Sequence, residues 1–184
     1  TNTASFLGSM VTGQFTNQVY SKEVWNSKVT NAFPAEDFIN NFPTRITKTD
    51  SNNDVIVDEA INSLNLQRVY FIVTGSSASA SELVMNSLNA YIEVNVIGSK
   101  TVGKQVGSIT LYDSDNFQRQ GANINHTYAM LPLVFKTANK NGMTDFDDGL
   151  PPDVMLNEDF SNLGTLGDAN EPLLAAALNI IFSA

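Results

Sequence analysis

The chain has 184 residues, 42% of them hydrophobic, enough to bury the core of one ordinary domain. Its 19 acidic residues against 10 basic ones leave a formal charge of −9, a field that disfavours binding to nucleic acid or anionic lipid. Cysteine is absent, which removes thiolate nucleophiles, disulfides and thiolate metal sites, and no apolar run approaches the ~18 residues that a membrane helix needs.

The sequence opens on Thr1 with no basic, apolar leader, as expected of a processed chain or a piece of a longer one. In "TASFLGSMVTG", Phe6, Leu7, Met10 and Val11 fall on one face at helical spacing, with Gly13 as a stop. "QVYSKEVWNSKV" is rich in β-branched and aromatic residues, and "AFPAEDFINNFP" predicts a short helix starting near Pro34. Residues 48–55, "KTDSNNDV", form a polar turn cluster that reads as a surface loop.

Residues 69–74, "VYFIVT", have the unbroken apolar character of a parallel strand buried on both faces. A helix from about Ser79 to Tyr91 follows, with Leu83, Leu88 and Tyr91 as core contacts, and "EVNVIG" supplies a second buried strand ending at Gly98. Strand, helix, strand is a βαβ unit and places the chain in the α/β class. Beyond residue 105 the pattern is mostly extended: "GSITLYD" alternates, and "HTYAMLPLVFKTA" is β-rich but interrupted by Pro132. A last helix starts near Asp168 or Asn170 and buries Leu173, Leu174, Ala177, Leu178 and Ile181. No internal repeat or low-complexity tract is visible.

Four serines, Ser76, Ser77, Ser79 and Ser81, gather where the first buried strand turns into its helix. Ser79 and Glu82 have the S-x-x-E spacing of a capping box, which satisfies free N–H groups at a helix start. The same position also suits chemistry. A serine at the C-terminal edge of a strand in an open α/β sheet sits beside the partial positive charge of a helix N-terminus, which stabilises an oxyanion during acyl transfer.

A nucleophilic serine needs a base, and two candidates stand out. The lone histidine, His126 in "NINHTYAML", could complete a Ser-His-Asp arrangement, although such a loop histidine is more often a hydrogen-bonding turn residue. Lys104, in "IGSKTVGKQVGS", is flanked by Gly103, Val106 and Gly107; a lysine serves as base only where desolvation strips its proton near neutral pH. "GSKTVGKQ" nearly spells a phosphate loop, but Gln105 replaces the metal-binding hydroxyl and an extended segment follows instead of a helix. The acidic clusters "DSNND" and "DFDDG" lack calcium-loop spacing and read as solvated turns, so no metal or cofactor is expected.

Together, "TGSSASASELVMNSL" and "VIGSKTVGKQVGSI" resemble the paired serine and lysine segments of the carboxyl-terminal processing peptidases, the tail-specific proteases, and "GLPPDV" at residues 149–154 resembles their downstream G-x-x-P-D element. The resemblance covers residues 61–184 and, more weakly, the first 60. It implies a crotonase-like or Clp-protease-like fold of repeated ββα units and a serine endopeptidase that cleaves protein substrates near their C-termini. Ser79 would be the nucleophile, Lys104 the general base and Ala80 N–H an oxyanion donor. Family members often carry a lysine-orienting glutamine four residues after the lysine. Ser108 stands there in this chain, and Gln105 lies beside the lysine, so these two are the candidates for that role.

Residues 1–184 would form a single catalytic domain. The family's upstream peptide-binding PDZ domain and glycine segment, which supplies a second oxyanion donor, have no counterpart in it, so the chain by itself is expected to be inactive and prone to self-association. The family also implies a bacterial periplasmic or envelope location. The alternatives are a catalytically silent peptide-binding or scaffold module of the same fold and, more remotely, an acyl-CoA-type enzyme.

Overall fold

The computed structural model describes residues 2–183. The first helix, α1 (Asn2–Val11), forms where expected but buries a different face. Ala4, Ser5 and Ser9 are buried, whereas Leu7 and Met10 are about half exposed. Small residues win because the aromatic core comes right up to the helix: a Cβ on Gly8 would lie 2.7 Å from the Tyr20 ring. Larger side chains on that face would hold the core away.

Next come β1 (Val19–Val24), the short α2 (Ser27–Thr30) capped by the Asn26 side chain, and β2 (Ile39–Asn41). The helical turn expected after Pro34 is a 3-10 turn, Ala35–Phe38. The polar cluster at 50–54 is the tip of a hairpin, β3 (Arg45–Thr49) with β4 (Val55–Ala60), held by a 2.5 Å ion pair between Arg45 and Asp58.

The βαβ unit is present. Strand β5 (Arg68–Val73) leads through α3 (Ala80–Leu88) to β6 (Glu93–Gly98), and the strands pair in parallel from Arg68 opposite Glu93 to Val73 opposite Gly98. Burial on both faces of β5 holds only at its end: Val73 is buried but Ile72 is 43% exposed, because β5 is the outer strand of its sheet. The extended region resolves into β7 (Val106–Ser108), β8 (Leu111–Tyr112), β9 (Ala129–Met130) and β10 (Leu133–Ala138), with Pro132 between the last two. Then β11 (Val154–Met155) joins β6 in parallel, and α4 (Pro172–Ser183) follows. The cap of α4 is the Glu171 carboxylate, which accepts from Leu173 and Leu174 N–H, while Asp168 closes a turn onto Asn170.

Two sheets result, in the orders β2-β1-β10-β7 and β11-β6-β5, alongside the hairpins β3-β4 and β8-β9. Helix α3 packs against β1 and β10 of the first sheet and β6 of the second, with α1 on its flank. Its residues Leu83, Val84 and Leu88 share one core cluster with Tyr20, Phe42 and Ile92, and Met85 shares a second with Val73 and Val96. The N-terminus of α3 is thereby fixed at the junction of both sheets. No helix among the described residues is long and apolar enough to cross a membrane.

Candidate active site

The serine cluster is a tight turn between β5 and α3. Ser77 closes it: its N–H donates to Thr74 O at 3.0 Å and its Oγ accepts from Thr74 N–H at 3.1 Å. Ser79 then takes φ 56° and ψ −109°, a left-handed backbone that costs a non-glycine residue about 1–3 kcal/mol. Glu82 opposes this cost, because its Oε2 accepts Ser79 N–H at 2.8 Å, as the capping-box spacing anticipates. Ala80, the first residue of α3, is exposed, and its N–H makes no hydrogen bond among the described residues. It is one of the free donors that every helix start presents.

Glu82 reaches further than its capping role. Its side chain is fully buried and also accepts from Thr101 Oγ1 at 2.5 Å, Gly103 N–H at 2.6 Å and Lys104 N–H at 2.9 Å. One carboxylate thus uses all its acceptor positions to tie the backbone of Ser79 to that of Lys104. Burial of a charge of this kind is tolerable only when it is fully hydrogen-bonded.

The loop at 145–150, read from sequence as a solvated acidic turn, clasps the lysine segment from the other side. Thr101 and Leu150 exchange hydrogen bonds, with Leu150 N–H donating to Thr101 Oγ1 and Thr101 N–H to Leu150 O. Gln105 Nε2 donates to Asp147, which also pairs with Lys136 Nζ at 3.0 Å. Lys136 first and Gln105 second hold the Asp147 carboxyl below its ordinary range. The backbones meet so closely that a side chain on Gly103 would overlap Asp147 O, and one on Gly149 would overlap Thr101 O. Further along, Asp153 of "GLPPDV" docks on β6: Val96 N–H donates to its carboxylate at 2.8 Å.

Ser79, Ala80, Lys104, Gln105 and Ser108 all line one pocket of about 270 Å³, walled by apolar side chains from α3, β7 and β10. Ser79 is half-buried and Lys104 is exposed. Among the described residues no hydrogen bond joins their side chains. Of the two orienting candidates, Gln105 is buried with its amide nitrogen donating to Asp147, and among the described residues no hydrogen bond joins Gln105 or Ser108 to the lysine side chain. What holds Lys104 is its backbone N–H on Glu82. The sequence carried that signal only as half of a capping box.

His126 belongs elsewhere. Its Nε2 lies 3.1 Å from Asp113 Oδ2 and its Nδ1 accepts Tyr128 N–H, in a separate pocket under the β8-β9 hairpin. Asn123 and His126 hold the Asp113 carboxyl below its usual value. The phosphate-loop reading has no support either, since residues 106–108 are a strand and the Gln105 amide is engaged by Asp147. Among the described residues no group of three or more His, Cys, Asp or Glu is placed to hold a metal.

Similar folds occur among solved structures. The chain aligns over 99% of its length with 41% of a protein described as "Putative S41 protease" from Bacteroides fragilis, at 24% identity and a TM-score of 0.71. The photosystem II D1 C-terminal processing protease matches 92% of this chain over 33% of its own, at 16% identity and a TM-score of 0.52. A lipoprotein from Streptococcus agalactiae matches 96% of this chain over 48% of its own, at 14% identity and 0.52. This chain therefore spans less than half the length of each. The first two are proteases of the kind that the serine and lysine segments resemble, and the likeness establishes a shared mixed helix-and-strand fold. No protein-family model and no curated protein matches the sequence.

Proposed function

We propose that this chain is the catalytic portion of a serine endopeptidase of the carboxyl-terminal processing kind, cleaving protein substrates near their C-termini on a crotonase-like fold of ββα units. The observation that carries the reading is the sharing of one pocket by Ser79 and Lys104, with one buried carboxylate holding both backbones. In this scheme Ser79 Oγ attacks the scissile carbonyl carbon as its proton passes to the neutral amine of Lys104. The carbonyl π-bond opens, and the oxyanion is met by the free Ala80 N–H and the positive end of α3. Collapse breaks the C–N bond, and the leaving amine takes the proton from Lys104. Water then hydrolyses the acyl-serine with Lys104 again accepting and returning a proton.

An exposed lysine is a poor base in water, so in this reading the bound substrate itself covers the pocket and excludes water from Lys104. That dependence also gives the second reading its footing. A catalytically silent peptide-binding module would keep the fold and the pocket while the side chains of Ser79 and Lys104 stay unpaired with each other, as they are among the described residues. The resemblance, and nothing else, suggests the bacterial periplasm or envelope as the setting.

The test compares the complete parent protein with its Ser79→Ala and Lys104→Arg variants on an unfolded protein substrate. Both variants are expected to lose about 10³-fold or more in turnover, since arginine keeps the charge but cannot act as a base. Ser77→Ala is expected to retain most activity, because the Ser77 hydroxyl is spent on Thr74 N–H and the backbone bond from Ser77 N–H to Thr74 O survives the change. Turnover that survives in Ser79→Ala would overturn Ser79 as the nucleophile, and no turnover by the complete parent protein itself would leave the silent binding module as the answer.

A further inference from the structure

The wall of the pocket facing Ser79 comes from β10 and β7. Leu133, Phe135 and Thr137 alternate along β10 and so share one face of the sheet, the face that carries the pocket. Strand β7 begins two residues after Lys104 and is the outermost strand of its sheet, with β10 on one side and, among the described residues, no strand on the other. An outer strand presents unpaired backbone N–H and C=O groups to any extended chain. Here the strand is also slim, since a Cβ on Gly107 would overlap the Phe135 ring.

The surface around this edge is apolar and uncovered. Leu133 lines the pocket yet is 65% exposed, Ile109 follows β7 at 40%, and Met130 and Leu131 continue at 66% and 63%. On a chain of charge −9, a run of exposed apolar side chains that leads into the site is a surface built for contact.

We propose that the free edge of β7 is the docking strand for an extended polypeptide substrate, and that Leu133 selects an apolar side chain next to the bond presented to Ser79. This rests on the peptidase reading above. A chain paired with β7 would run about 4.8 Å from it, with alternate side chains turned to the face that holds Leu83, Leu133 and Phe135. Backbone pairing demands an unfolded, extended segment and reads no sequence; the apolar wall supplies the selection. Continuity with the pocket of Ser79 and Lys104 makes the occupant a substrate rather than a second copy of this chain.

The experiment uses the complete parent protein. In its Ser79→Ala form, binding of a labelled apolar peptide is compared with peptides N-methylated at one backbone position at a time. Methylation at every second position is expected to weaken binding about tenfold or more, and methylation between them to change it little. In the active protein, Leu133→Asp is expected to raise KM for the apolar peptide at least about tenfold. A peptide with lysine at the matching position should recover most of that loss.

Tight binding with no alternation overturns the docking strand, and an unchanged KM or no rescue by lysine overturns the role of Leu133. Peptide binding that disappears as the protein dimerises would give the edge to a second copy and overturn the proposal. Ser79-dependent cleavage without alternation defeats this inference alone. Alternating binding without Ser79-dependent cleavage supports the docking strand and defeats the peptidase reading.

Discussion

The lysine-bearing loop and the outlying hairpins of this molecule are both made of short, irregular segments, yet they are held in opposite ways. Between Thr101 and Gln105 the backbone is gripped from two sides, by a buried carboxylate that takes four donors and by a loop whose glycines let backbones nearly touch. In the β3-β4 hairpin, Val55 and Ile56 are 61% and 54% exposed, and among the described residues the strands pair only with each other. The β8-β9 hairpin likewise leaves Tyr128 83% exposed. The contrast shows that order follows satisfied polar groups and close backbone contact as much as apolar burial. The chain concentrates both around the pocket that Ser79 and Lys104 line.

The strongest way to break this contrast is Glu82→Gln. The amide keeps the size but turns an N–H₂ toward two of the four donors, leaving them unpaired at about 2 kcal/mol each, so a loss of about 4 kcal/mol is expected by chemical denaturation. In the complete parent protein the same change should lower kcat far more than it raises KM, since it displaces Ser79 from Lys104. A loss below about 1 kcal/mol would show that the brace is decorative.

A paired substitution sharpens the comparison. Ile97→Ala, in a fully buried strand position, is expected to cost about 3 kcal/mol. Ile56→Ala in the outlying hairpin should stay within about 0.5 kcal/mol. Equal costs in the two would mean that another surface covers the hairpin in solution.

The smallest effect concerns pH. The Asp147 carboxyl is held below its ordinary value by Lys136 and then Gln105, so its contribution to stability is complete above the usual aspartate range, about pH 4, and fades as pH falls through the lower folded value. Because the pair is largely exposed, the contribution is modest. Thermal melts of the chain and Asp147→Asn should differ at pH 7 and converge as the pH falls through the lowered folded value. A gap that widened in acid would reverse the sign and remove Asp147 from the clasp.

Much of the central unit was readable from residue order. The apolar runs at 69–74 and 94–97, with S-x-x-E between them, specify strand, cap and helix because each signal is local and all agree. Where reading failed, the deciding partner was distant. The face of α1 went to Ala4, Ser5 and Ser9 because Tyr20 and Phe42 press against Gly8, something hydrophobic spacing within the helix cannot express. The two-residue β11 exists only through its pairing with β6. The loop at 145–150 looked like a solvated turn because acidic composition says nothing of a glutamine 42 positions earlier.

The sequence by itself determined the βαβ unit, the capped helix start at Ser79 and the identity of two side chains worth pairing, since these depend on neighbours within a few residues. Only the tertiary structure decided that Ser79 and Lys104 line one pocket, that His126 lies in another, and that the Gln105 amide donates to Asp147. It also turned Glu82 from a cap into the tie between the two segments. The physical reason is that a carboxylate has acceptor positions to spare after capping one N–H, and which donors fill them depends on what the fold brings within about 3 Å.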